Sequence, residues 1–230
     1  MTYYKKRINF EVFHVLTDGT GATEFLKELV SNYLYLAHQK EGLEPVSMLP
    51  EDMTVQDQES DSFLKYYSKD QKRPKEKKTR AFQIRRKKKD GNHLHVHESV
   101  VSVKEVLKRS RELGVSMTVF LTAVFLKAIH EEMSKMQEKK PIVLMVPVNL
   151  RKFFPSTSML NFFNWIEPGY DFSKRDRSFE EVLGYTKDFF EEQLTKEKMS
   201  AHINDLLALE LHPILRLAPL ELKNLCINAG

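Results

Sequence analysis

The chain has 230 residues, 41% hydrophobic and 30% charged, the balance of a soluble globular protein rather than a disordered one. A single cysteine, Cys226, excludes a disulfide framework and zinc sites built on cysteine pairs, and no apolar stretch is long enough to span a bilayer. The net charge of +4 is unevenly placed: twelve Lys or Arg face two acids between Lys69 and Lys89, leaving 24 basic and 30 acidic residues elsewhere. That run reads as a solvated connector kept extended by self-repulsion, or as a segment that draws in phosphate groups. Nucleic acid is not expected as a partner, because no aromatic ladder, zinc spacing or recognition-helix pattern accompanies the charge. No apolar run and cleavage site follow Lys5-Lys6-Arg7, so a cytoplasmic setting is the expectation.

Arg7 to His14 alternates polar and apolar residues, with Ile8, Phe10 and Val12 on one face, and predicts a half-buried strand. Thr17-Asp18-Gly19-Thr20-Gly21 predicts a tight turn whose glycines can take positive φ. Phe25, Leu26, Leu29, Val30, Tyr33 and Leu34 then recur at helical spacing, in a helix ending near Gly42. Residues 43–80 lose periodicity and read as a crossover, with a short helix around Phe63 to Tyr67. Ala81 to Arg86 and His93 to Val101 predict a hairpin around Asp90-Gly91. Ser102 opens a helix through a capping box with Glu105, and Gly114 closes it. Thr118 to Met136 predicts a core helix, Ile142 to Leu150 a continuous strand, and Asn161 to Phe172 a second strand. Ser178 with Glu181 opens a helical tail that divides near Ser200 and at Pro213 and Pro219.

The sharpest chemical feature is His14-Val15-Leu16-Thr17-Asp18-Gly19, a histidine at a strand end with Asp-Gly four residues on. With the helix after it, with Val146-Pro147-Val148-Asn149-Leu150-Arg151, and with Asn161-Phe162-Phe163-Asn164-Trp165, the chain resembles the chloramphenicol-acetyltransferase-like superfamily. That group includes alcohol O-acetyltransferases and the condensation domains of nonribosomal peptide synthetases. The resemblance implies an α/β fold of two sandwiched subdomains, mixed sheets with flanking helices, only partly present here. Residues 1–80 would belong to the N-terminal subdomain and residues 81–230 to the C-terminal one.

It also implies a CoA-dependent O-acyltransferase that moves an acetyl group from acetyl-CoA, or another acyl-CoA, to an alcohol. No tightly bound cofactor is expected. His14 would be the general base, a role suited to an imidazole that titrates near operating pH. Its second nitrogen would be held by a backbone carbonyl. Asp18 and Arg151 would form a structural ion pair, although an Asp before Gly also caps helices. Gly19 would let the chain turn and leave room for substrate. Asn161 and Trp165 are candidates for lining the channel, although aromatic strands are more often core.

Condensation domains carry two adjacent histidines, and Phe13 occupies the first position here. That departure favours free-standing O-acyltransferases over peptide condensation with a carrier protein as donor. A binding module that kept the fold without turnover is the other alternative. Complete members of the superfamily are nearly twice as long and place strands before the motif. The chain is therefore expected to be a fragment, inactive alone, with an open substrate tunnel and an unpartnered strand at residues 7–14. His93, His95 and His97 alternate on one strand face and span about 13 Å at ~3.3 Å per residue, too far for one metal ion. No metal site is expected, and Cys226, between Leu225 and Ile227, reads as a buried structural thiol.

Overall fold

The computed structural model describes residues 1–42, 47, 53–68, 80–84, 98–213, 217, 219 and 221. Among these the fold is mixed α/β, with seven α-helices and three two-stranded sheets. The chain divides into two compact units: Met1–Arg73, Val148–Asn164 and Lys196–Gly230 in one, Pro74–Pro147 and Trp165–Thr195 in the other. Each unit is discontinuous in sequence, whereas the boundary expected between residues 80 and 81 is a single cut. The basic run apart from residues 80–84, the Asp90-Gly91 turn, His93, His95, His97 and Cys226 lie outside the described residues.

In the first unit, β1 (Thr2–Tyr4) and β2 (Arg7–Asn9) form an antiparallel hairpin with Tyr3 opposite Ile8. Lys5 sits in the connecting turn at φ 52°, the left-handed conformation that two-residue hairpin turns favour. The strand expected from Arg7 to His14 thus stops at Asn9, and its partner is Thr2–Tyr4. Phe10 to Phe13 find no ladder partner among the described residues, and alternation without pairing does not hold a strand. The chain turns instead at His14–Leu16, where Leu16 N–H donates to the Phe13 carbonyl at 2.9 Å.

Helix α1 (Gly19–Ala37) follows, and a single 3₁₀ turn over Gln39–Glu41 carries the chain to Gly42 at φ 71°. Two short helices, α2 (Val55–Gln58) and α3 (Ser62–Lys65), are capped by Thr54 and Asp61. The core of this unit is Val148, Leu150, Phe154, Phe162, Met199, Ile203 and Leu207. Outside it, α1 leaves Phe25, Val30, Tyr33, Leu34 and Leu36 exposed.

In the second unit, α4 (Val103–Glu112) starts at Ser102, whose hydroxyl accepts from Glu105 N–H, and Gly114 takes φ 67° just beyond its end. Helix α5 (Met117–Glu131) is bent 89° from α4, and no single described helix is long and apolar enough to cross a membrane. The two strands expected between Ile142 and Phe172 each break in two. β3 (Ile142–Val143) pairs antiparallel with β6 (Gly169–Tyr170), and β4 (Val146–Asn149) pairs with β5 (Phe163–Ile166). Pro168 lies in the break between β5 and β6 and offers no N–H to a ladder. The chain passes between units within β4 and again within β5.

Helix α6 (Phe179–Gln193) starts at Ser178 as expected from its cap, and packs against α5 over Val119, Ala123, Leu126, Val182, Leu183 and Phe190. The helical tail divides at Leu194–Thr195 rather than near Ser200, and α7 (Lys196–Glu210) runs through that serine. No strand occurs at residues 81–84 or 98–101.

The second unit also holds a titratable cluster around the buried His130. His130 stacks on Phe172 with ring centroids 3.9 Å apart, and its Nε2 lies 3.3 Å from Glu138 Oε1. Glu138 also pairs with Arg177 at 2.8 Å, and Lys127 donates to the Arg177 carbonyl. Burial, followed by the charges of Lys127 and Arg177, outweighs the attraction of Glu138 and pushes the His130 pKa below 6.5.

Candidate active site

The motif residues and their contacts lie within the first unit. Asp18 caps α1: its Oδ1 accepts from Thr20 N–H at 3.0 Å and Gly21 N–H at 3.2 Å, satisfying two of the orphan donors of the first turn. Its Oδ2 accepts from Arg151 Nη1 at 2.6 Å and from Phe162 N–H at 2.8 Å. Burial alone would raise the Asp18 pKa. The Arg151 hydrogen bond, the N–H groups of Phe162 and Gly21, and the Arg151 charge override it, so the carboxyl lies below its ordinary 3.8. A carboxylate with both oxygens doubly engaged has no lone pair to spare for a substrate proton.

Arg151 belongs to a 3₁₀ turn, Leu150–Lys152, capped by Asn149 Oδ1. Side-chain exposure is 11% for Arg151 and 6% for Asp18, so this pair is shielded from water. The guanidinium fork is divided between partners: Nη1 serves Asp18, while Nη2 donates at 2.8 Å to the carbonyls of both Ser158 and Leu160. It therefore folds the 158–162 loop against the motif as well as neutralising a charge. Thr17 Oγ1 adds a 2.6 Å bond to the Met159 carbonyl, and Asn149 Nδ2 reaches Thr20 Oγ1 at 3.1 Å.

His14 is exposed within the turn, and its ring makes no hydrogen bond among the described residues. Among the described residues no backbone carbonyl accepts from the ring, in contrast to the expectation for its second nitrogen. The contacts that locate His14 come from residues 161–163. Asn161 Nδ2 donates to the His14 carbonyl at 2.9 Å and to the Val15 carbonyl at 3.0 Å. The Phe163 ring lies 5.4 Å from the imidazole, tilted by 56°. Trp165 belongs to the second unit, where its indole N–H donates to Glu167 at 3.1 Å.

Neither of the two motif glycines takes the positive φ open to it. Gly19 is exposed, and a Cβ there would meet nothing within 4 Å. Gly21 is the constrained one: a Cβ there would collide with Thr17 Oγ1 and the Met159 carbonyl. A glycine inside a helix is unfavourable enough that Gly21 carried a readable signal of close approach. Phe163 carried none, being one aromatic in an aromatic run. Beside the turn lies a groove of about 420 Å³ lined by Phe10, Val12, Leu16, Phe25, Met159 and Leu160, which His14 does not line. Among the described residues no three His, Cys, Asp or Glu could hold a metal ion.

A family model described as alcohol acetyltransferase matches residues 43–172, more than half of the chain. The matched stretch contains Arg151, Asn161 and Trp165 and begins after His14, Asp18 and Gly19. No curated protein matches the chain. No solved structure matches it either.

Proposed function

The chain belongs to the alcohol acetyltransferase family, and we propose that it transfers an acetyl group from acetyl-CoA to an alcohol with His14 as the general base. One observation carries this reading. Arg151, inside the matched stretch, holds Asp18 of the His14-x-x-x-Asp18-Gly19 motif, which lies outside it. Two separate marks of acyl transfer thereby meet in one buried contact.

In the proposed reaction a neutral His14 nitrogen takes the hydroxyl proton as the alcohol oxygen forms a bond to the thioester carbonyl carbon. The tetrahedral intermediate collapses by breaking the carbon–sulfur bond. The departing thiolate takes the proton back from the imidazolium, which leaves ester, CoA thiol and neutral imidazole. Asp18 and Arg151 hold the turn and stay out of the proton transfer, and Gly19 leaves open space at the start of α1. Taken alone, the 230-residue chain is proposed to be inactive, because Phe13, Val15 and Leu16 around His14 are all mostly exposed, leaving a bound thioester open to water.

The test is alcohol-dependent thiol release from acetyl-CoA, in the longest natural chain that contains these residues. His14→Ala should lower turnover by roughly 10² to 10⁴ with the melting temperature unchanged. Undiminished transfer in that variant would remove His14 from the chemistry.

A further inference from the structure

We infer that Asn161 is the positioning residue for His14: its amide holds the two carbonyls of the turn and so keeps the imidazole against the Phe163 ring. The inference rests on the reading of His14 as the base. Geometrically it stands on four contacts made by three consecutive residues. Asn161 Nδ2 donates to the carbonyl oxygens of His14 and Val15, at 2.9 and 3.0 Å. Phe162 N–H donates to Asp18 Oδ2 at 2.8 Å, at the other end of the motif. Phe163 packs on the imidazole itself at 5.4 Å between centroids. The run 161–163 therefore templates the whole span from His14 to Asp18.

The chemistry at Asn161 has a single consistent orientation. Two carbonyl oxygens demand two donors from one side, and an amide NH₂ is the neutral group that supplies them. Its own Oδ1 is buried and accepts no bond among the described residues. An amide placed for general packing would satisfy that oxygen, so the turn carbonyls set its orientation. An exposed histidine with no hydrogen bond to its ring would otherwise sample several rotamers. Pinning its backbone beside an aromatic face restricts them, since tilted ring pairs at this separation are attractive.

The first test is the imidazole NMR signal of His14 in the 230-residue chain. It is one of eight histidines, identified as the resonance lost in His14→Ala. In the native chain the His14 ring protons should be displaced from their positions in Phe163→Leu by the aromatic ring current. Asn161→Ala should move them to those same positions while the melting temperature holds. Ring protons that stay at their native positions in Asn161→Ala overturn the inference. Should that variant lose cooperative melting, Asn161→Ser, with a hydroxyl of shorter reach, carries the same comparison.

The second test is kinetic, with acetyl-CoA and a short aliphatic primary alcohol in the longest natural chain. Asn161→Ala should lower kcat about 10²-fold, the effect of a slightly misplaced catalytic group, with KM for acetyl-CoA changed less than about twofold. An unchanged kcat in Asn161→Ala beside an inactive His14→Ala overturns the positioning role and leaves the base assignment standing. A fully active His14→Ala overturns the base assignment, and with it the catalytic meaning of Asn161.

Discussion

The Arg151 guanidinium meets the Asp18 carboxylate at 2.6 Å across 133 positions of sequence, and its Nη2 donates to the loop that follows its own 3₁₀ turn. One side chain thus neutralises the cap of α1 and fastens residues 158–162 over it. Removing it would leave a buried carboxylate without its counter-charge and two loop carbonyls without donors.

Arg151→Met should therefore destabilise the first unit by about 3–5 kcal/mol, the range for breaking one half of a buried ion pair. Chemical denaturation provides the measurement. Combining Arg151→Met with Asp18→Asn should cost less than the sum of the two single changes, because the buried charge goes with its partner. Simple additivity would mean that the two side chains do not act as a pair.

Acid should expose the same contact. The Asp18 pKa is lowered from 3.8, so below 3.8 the unfolded chain takes up this proton more readily than the folded one. The stability contributed by Asp18 is then complete above 3.8 and is lost as pH falls from there through the folded value. Asp18→Asn should flatten this part of the stability–pH curve, and parallel curves for the two proteins would contradict the assignment.

Gly21 and Gly19 should respond oppositely to the same small change. Gly21→Ala forces a methyl group against Thr17 Oγ1 and the Met159 carbonyl and should cost about 1–3 kcal/mol, as overpacking does. Gly19→Ala meets open space at the exposed start of α1 and should lie within about 0.5 kcal/mol of the native chain. Thermal melts of the two variants side by side decide the matter.

In the second unit, the His130 pKa is lowered from 6.5, so the folded protein binds this proton less readily than the unfolded one. Its contribution to stability is complete above 6.5 and is lost as pH falls from there through the folded value. His130→Phe keeps the stack on Phe172 and removes the titration. Its melting temperature should depend less steeply on pH between about 7 and 5 than that of the native chain. Identical slopes would show that His130 does not set this dependence.

What could be read from the sequence was local chemistry. Ser102 and Ser178 marked helix starts because a cap acts within three residues of itself, and Gly114 marked a helix end because its conformation excludes most side chains. Strands were over-extended because the ladder that decides their length lies elsewhere in the chain. Asp18 and Arg151 came together in the reading through family resemblance, since no spacing rule joins residues so far apart. Asn161 lies 147 positions from His14, so its grip on the turn could not be read from local pattern. Nor could the exposure of His14, which depends on Phe10 to Phe13 leaving the strand.

The Asp18 cap has a consequence for how the chain is made. Phe162, which donates to Asp18, is synthesised 144 residues after it. At typical elongation rates of about 5–20 residues per second, roughly 7–30 s separate the two. For most of that interval the nascent motif has its histidine, its aspartate and the start of its helix, but neither the guanidinium nor the loop that sets them. His14 and Asp18 thus leave the ribosome well before the residues that shape them. Chains stalled before residue 150 should be cut within residues 13–16 faster, by a protease that acts at apolar side chains, than chains released beyond residue 162, in which Asn161 holds the carbonyls of His14 and Val15.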